Sequence, residues 1–553
     1  MTQPSNSAGD PTPNTPATDA PTAGASTTDT PTAESALHVD TTGGTVAGFT
    51  RFGTHAWLGI PYAEAPVGTR RFRRPERAPR EGNARDGVRE ATAFGPSPVQ
   101  PPLAEAFGGI GVDPEAAPQG EDCLTLNVVR PADPQATGPL PVMVWIYGGA
   151  FLIGGTKLYP AHEFARRADV VHVSMNYRVG AFGFFDLTSL STDEYSFESN
   201  AGLHDQIAAL QWVQENIAAF GGDPENVTIF GESAGAMSVL ALMCMPAARG
   251  LFHRAIAQSP APASGYPAEL HAEWALAFAR FLAPEAVAAG PEATARALVE
   301  ASTRDIQAAT ARTMEWVKRE YPGKSPLAPC IDGESLPAKQ LGMLAEGTAA
   351  PVPLVIGTNE NEGRLFRMGL DARRSEETVP VTEESLTRIL AVRPGFEDLL
   401  AEYPGWPEAE AASQLGGDLL FWYPSTVAAD SHSHHAPVWM YRYDYVSGIP
   451  AFGAGGATHG AEIAHLYGRS LVYAQQRKEK GLSGFEEAGE RDAAFSEALI
   501  GLWSTFAHTG VPGNWPEYDA VHRRTLVLDH PLRAEENPWA TKREAWERYL
   551  HGR

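Results

Sequence analysis

The stretch Phe220 to Gly235, reading FGGDPENVTIFGESAG, constrains the fold more than any other part of the chain, because it sets a serine between two glycines where an apolar strand turns into a helix. Val227 to Phe230 form a short β-branched and aromatic run, and Ala236, Met237, Val239, Leu240 and Leu242 follow with helical spacing. Between them, Gly231, Glu232, Ser233, Ala234 and Gly235 fit a nucleophile elbow. The residues two places either side of the serine must lack bulk so that strand and helix can approach, and the hydroxyl is left exposed at the tip of the turn. A Gly-x-Ser-x-Gly pattern alone arises by chance about 0.3 times in a chain this long, so the flanking strand and helix carry the reading.

A serine hydroxyl is a poor nucleophile until a base takes its proton and a third group fixes the tautomer of that base. The expected chain order is Ser, then Asp or Glu, then His. His459 lies in GGATHGAEI, a loop of small residues free to present an imidazole. His465 and the cluster His432, His434 and His435 are rivals, and that cluster reads as a polar loop before a strand, without the acidic or cysteine partners a metal needs. For the acid, Glu362 follows the Leu354 to Ile356 run through GTNENEGRLF, and Glu360 competes two residues earlier. The residues alone leave both open. Gly148, Gly149 and Ala150 follow the Val142 to Tyr147 run directly, and such small residues can offer backbone N–H groups to a developing oxyanion.

Further runs at Val170 to Met175, Arg254 to Ala257 and Val438 to Tyr443 read as buried strands of a mostly parallel sheet. Ile207, Leu210, Val213 and Ile217 mark a helix between Asp205 and Phe220 that packs on it. His38 to Phe52 suggests a small hairpin. Ser259 to Pro351 and Arg364 to Pro437 read as helical insertions that cap the strand ends and wall a pocket. A length of 553 residues would suggest several domains, yet no linker interrupts residues 36 to 553, which are expected to form one. Residues 1 to 35, rich in Thr, Pro and Ala, are expected to be a disordered tail; they lack the apolar core of a signal peptide. With no membrane span legible either, cytoplasmic residence is the expectation. A net charge of -24 opposes binding to nucleic acid or anionic membranes. Three cysteines cannot all pair, and no Cys-x-x-Cys indicates zinc.

Taken together, these segments resemble the type B carboxylesterases, the α/β-hydrolase group that also contains cholinesterases. The likeness is carried by GIPYAEAPVG at Gly59, EDCLTLNVVRP at Glu121, WIYGGAF at Trp145, NYRVGAFGF at Asn176, NAGLHDQIAALQWV at Asn200 and the elbow itself, and then by LFHRAIAQS at Leu251, GTNENEG at Gly357 and THGAEI at Thr458. It implies an α/β-hydrolase fold with cap insertions at about 260–350 and 365–436. It also implies a serine esterase that needs no cofactor or metal and acts on small-molecule esters, in an oligomeric state left open. The family pattern selects Glu362, before Gly363, as the acid and His459, before Gly460, as the base. The oxyanion donors carry over as the N–H groups of Gly149, Ala150 and Ala234, with Ala150 replacing a commoner third glycine. Glu232 and Ser259 are expected to support the triad from behind rather than react. No cysteine precedes Cys123, so the rim disulfide of some members is absent and Cys123 is expected to be a free, buried thiol. Gly95 to Gly120 lacks the tryptophan with which cholinesterases hold a quaternary ammonium, which makes choline esters poor candidates. Lipase, thioesterase, amidase or carbamate hydrolase chemistry could run on the same triad. A non-catalytic adhesion member of the fold is the remaining alternative.

Overall fold

A computed structural model describes residues 37–77, 87–101, 118–371, 379–469, 472–473 and 486–552. The tail expected over residues 1 to 35 lies outside them. The chain enters through antiparallel strands β1 (Leu37–Thr41), β2 (Gly44–Arg51) and β3 (Thr54–Pro61), with β4 (Arg89–Glu90) beside β2, followed by β5 (Thr125–Pro131). The hairpin expected over His38 to Phe52 is the β1–β2 pair. Next come β6 (Leu140–Ile146), β7 (Val171–Met175), β8 (Gly222–Glu232) and β9 (Arg254–Gln258). A separate two-residue pair, β10 (Tyr266–Pro267) and β11 (Cys330–Ile331), precedes β12 (Leu354–Asn359), β13 (Val438–Tyr443), β14 (Thr525–Leu528) and β15 (Arg533–Glu535).

The main sheet runs in the order β1-β2-β3-β5-β7-β6-β8-β9-β12-β13-β14-β15, and every neighbouring pair from β7 to β14 is parallel. All six runs expected to be strands lie in that parallel block, which is buried on both faces and therefore continuously apolar. The protein has the mostly parallel, helix-flanked sheet expected of an α/β-hydrolase. Strand order reverses at β6, which pairs with β7 on one side and β8 on the other; such a reversal opens a crevice at the carboxyl ends of the strands. Register then aligns the loops that leave those ends. Ile146 pairs with Gly231, Glu232 with Gln258 and Gln258 with Gly357, so the residues following β6, β8, β9 and β12 emerge side by side.

The helix expected between Asp205 and Phe220 spans Ala201–Asn216, and Ile217–Phe220 tightens into a 3-10 turn. Asp205, in its second turn, is tied to the loop after β7. Its carboxylate accepts from Arg178 Nη2 at 2.6 Å and Nε at 2.8 Å, with both side chains buried. Removing one partner of such a pair typically costs about 3–5 kcal/mol, because the other charge stays buried. Both stretches read as insertions are helical. The first carries Ala268–Leu282, Pro291–Glu300 and Thr303–Glu320 among others, and the second includes Glu383–Leu390, Ala409–Gly417 and Tyr423–His432. The second insertion builds a small core of its own with the C-terminal helix Ala540–His551, where Tyr403, Trp422 and Tyr423 meet Trp546 and Tyr549. Cys123 is free and buried, as expected, and Cys244 and Cys330 are unpaired too. Among the described residues, no helix is long and apolar enough to cross a membrane.

Candidate active site

Ser233 stands between β8 and the helix Ala234–Cys244 with φ 57 and ψ -123. Backbone strain of this kind costs of order 1–3 kcal/mol in a residue with a side chain and persists only where the surroundings impose it. Here the serine N–H donates to the Gln258 carbonyl at 2.9 Å and its carbonyl accepts from Met237 at 2.9 Å. The flanking glycines are needed because a Cβ on Gly231 would come within 2.5 Å of the Ile146 carbonyl oxygen, and one on Gly235 within 2.0 Å. Ser233 thus sits at the positive end of an 11-residue helix, at the level of the sheet where the order reverses.

The loop after β6 folds against this turn. Gly149 has φ 113 and Ala150 φ 55, so Ala150 tolerates a left-handed backbone that glycine would adopt at less cost. Among the described residues the N–H groups of Gly149, Ala150 and Ala234 have no hydrogen-bond partner, which leaves three donors free beside the serine.

Glu362, 2 % exposed, receives three donors. Its Oε1 accepts from Ser259 Oγ at 2.7 Å and from the Asn359 N–H at 2.6 Å, and its Oε2 lies 2.6 Å from His459 Nδ1. An ionised carboxylate only accepts, so Nδ1 carries the proton and Nε2 is the basic nitrogen. Glu360 faces the other way: its carboxylate is 41 % exposed and 4.0 Å from Arg364. Of the two glutamates that the residues alone left open, Glu362 is the one that lies against His459. The His459 loop is tied to the Glu362 loop through Asn359 Nδ2, which donates to the Thr458 carbonyl, and through the Leu365 N–H, which donates to Thr458 Oγ1.

One expected contact is missing. No hydrogen bond joins Ser233 Oγ to His459 Nε2 among the described residues; Nε2 instead faces Glu232 Oε1 at 3.2 Å, without hydrogen-bond geometry. Catalytic bonds are often long before substrate binds, and here a second carboxylate also attracts the imidazole. Burial pushes the Glu232 carboxyl up to about 8, against the pull of His459. For His459, burial disfavours the imidazolium, but Glu232 and Glu362 outweigh it and raise the group to about 9. The pair titrates as a unit.

The remaining candidates lie elsewhere. His465 Nδ1 bonds the Tyr443 hydroxyl at 3.0 Å, and its Nε2 lies 3.6 Å from buried Asp492. His432 and His435 bond the carbonyls of Val352 and Ala345 through Nε2. Among the described residues no group of three or more His, Cys, Asp or Glu side chains could hold a metal ion. Sequence reasoning overlooked three members of the site. Glu462, fully buried, accepts from Gln258 Nε2 at 3.1 Å and Asn359 Nδ2 at 2.8 Å, and its place in the THGAEI segment, three residues after His459, was the available signal. Phe421 and Phe366 come within 4.5 and 5.2 Å of the imidazole, ring centre to ring centre, and nothing in their local sequence marks them.

Residues 35–546 match the family model described as the carboxylesterase family. The chain belongs to that family. Para-nitrobenzyl esterase of Bacillus subtilis (strain 168) is 38% identical over 517 residues, which cover 92% of this chain and 97% of that protein. Liver carboxylesterase of Sus scrofa is 33% identical over 500 residues, with 84% and 83% covered. Among solved structures, a PNB esterase superposes with a TM-score of 0.77 at 36% identity, and a carboxylesterase of Geobacillus stearothermophilus with 0.74 at 31%; each comparison covers 92% of this chain and 99% of the other. This carboxylesterase is accordingly a carboxylic ester hydrolase of the α/β-hydrolase fold, and its substrates are small-molecule esters.

Proposed function

We propose that this carboxylesterase cleaves esters through an acyl-enzyme intermediate on Ser233, with His459 as base and Glu362 as the acid that holds it. The observation that carries the assignment is the 2.6 Å bond between Glu362 Oε2 and His459 Nδ1, with Nε2 of the same ring 3.2 Å from Glu232, the chain neighbour of the strained Ser233. Ser233 Oγ attacks the ester carbonyl as His459 takes its proton, and the oxyanion accepts from the N–H groups of Gly149, Ala150 and Ala234. His459 returns the proton to the departing alcohol, then activates a water that releases the acid. The free backbone donors support this use of the loop after β6. Glu232 and Ser259 act from behind. Ser259 fixes Glu362 through its 2.7 Å bond, and Glu232 tunes the charge at Nε2. Residues 36–553 are read as one catalytic domain with two cap insertions. Cytoplasmic residence is consistent with three buried, unpaired cysteines.

Phe366 and Phe421, both beside the base, favour an aryl or benzylic group near the reacting carbonyl. The relative's name makes nitrobenzyl esters the first to try. Rates over aryl, benzyl and alkyl esters of graded acyl length are expected to give the highest kcat/KM for short acyl chains on aromatic alcohols. A flat or absent profile on short esters, with turnover confined to long-chain esters or amides, would move the assignment to a lipase or an amidase.

A further inference from the structure

We infer that Tyr177, with its stacked partner Tyr147, is a positioning residue that fixes the backbone of the oxyanion loop. This rests on the reading of the Gly149 and Ala150 N–H groups as oxyanion donors. The loop after β6 carries three positive φ values in a row, 113 at Gly149, 55 at Ala150 and 58 at Phe151. Two of them belong to residues with side chains, and such a run persists only where its surroundings impose it. The chain after β7 supplies those surroundings. The Gly180 N–H donates to the Phe151 carbonyl at 2.6 Å, Asn176 Oδ1 accepts from the Thr156 N–H at 3.0 Å, and the Phe184 ring stacks on Phe151 at 4.1 Å.

The entry to the loop is held most directly. Tyr177 Oη donates to the Tyr147 carbonyl at 2.5 Å, and Tyr147 Oη in turn donates to the Tyr177 carbonyl at 2.9 Å and accepts from its N–H at 3.2 Å. Both side chains are fully buried, and their rings stack 4.3 Å apart with the planes 15° from parallel. The Tyr147 carbonyl shares its peptide plane with the Gly148 N–H, and the next plane carries the N–H of Gly149. That first plane also lies against the nucleophile, because a Cβ on Gly148 would come within 2.6 Å of the Glu232 carbonyl oxygen and 3.0 Å of Ser233 Cβ. Turning it moves the donors relative to the serine. Removal of the Tyr177 hydroxyl takes from a buried carbonyl the donor that holds it, which favours such a turn. Among the described residues neither phenol bonds Ser233, Glu362 or His459, so the triad itself is left as it was.

The test compares a short aryl ester with its thionoester, whose C=S sulfur accepts hydrogen bonds weakly, each rate being divided by that of hydrolysis by hydroxide. Damage to the serine or its base slows both substrates alike, whereas displaced oxyanion donors slow the ester. For Tyr177→Phe the expected result is a kcat on the ester reduced about 10- to 100-fold, a KM changed less than about threefold and a thionoester rate changed less than about twofold, so that the ester-to-thionoester ratio falls about fivefold or more. Tyr147→Phe, which releases Tyr177 from the other side, is expected to lower the ratio too, and it carries the test should Tyr177→Phe melt below the assay temperature. A ratio that stays at the parent value, whether both rates fall or neither does, would overturn the inference and leave the two tyrosines as core residues. The parent enzyme separates the two levels. If it turns over ester and thionoester equally well, the oxyanion loop itself is wrongly assigned; if it strongly prefers the ester and the variants keep that preference, only the positioning role fails.

Discussion

Replacing Ser233 with alanine is expected to lower kcat by about 10⁶-fold, the loss seen when the nucleophile is removed from a serine triad. The fold should survive, because what the backbone needs at this position does not involve the hydroxyl. Ser233 bonds Gln258 and Met237 through its main chain, and the clashes that shape the elbow fall on Gly231 and Gly235. Alanine faces the same positive φ as serine, so the change in strain is small and the loss is chemical. Circular dichroism and thermal melting should match the parent while ester turnover disappears. Residual activity of a tenth or more would mean that another residue attacks the carbonyl.

Glu362→Gln is expected to lower kcat by about 10⁴-fold, as for the acid of a serine protease triad. Glu362 takes hydrogen bonds from Ser259, from the Asn359 N–H and from His459. A glutamine has one accepting oxygen and an amide that donates, so at least one of those donors faces another donor. If that donor is His459, the imidazole is pushed to the wrong tautomer, with its proton on the nitrogen that should be basic. Glu360→Gln changes a group with 41 % exposure that leans toward Arg364, and its activity should stay within about twofold of the parent. The two variants assayed side by side decide the acid. If Glu360→Gln were the damaging one, the assignment would be reversed.

The parallel block was legible because its strands are buried on both faces, so each appears as an unbroken apolar run between turn residues. The antiparallel half was harder to read. β3 is interrupted by Gly59, and β5 buries Asn127, whose side chain bonds the Gly59 N–H and Ser174 Oγ, so neither has a clean alternation. The elbow could be read to single residues because steric demands at Gly231 and Gly235 are local. The choice between Glu362 and Glu360 needed either a family pattern or coordinates, since which carboxylate turns inward depends on a loop that meets the chain again about 100 residues later. The same holds for the aromatic rings around His459. Phe421 is placed by a π turn and by a pairing of Asp418 with Lys542, and neither leaves a periodic trace in the sequence. That Nε2 of His459 faces Glu232 is likewise set by which side chains the fold gathers around the imidazole, and their arrangement in space leaves no trace in the order of the residues.

The most direct measurement of the central claim is reaction of the intact chain with a fluorophosphonate, followed by mass mapping of the modified peptide. A phosphonyl group should appear once per chain, on the peptide that contains Ser233, and nowhere in the Ser233→Ala variant. A folded, active enzyme that stays unlabelled, or carries the group on another residue, would contradict the assignment of Ser233 as the nucleophile.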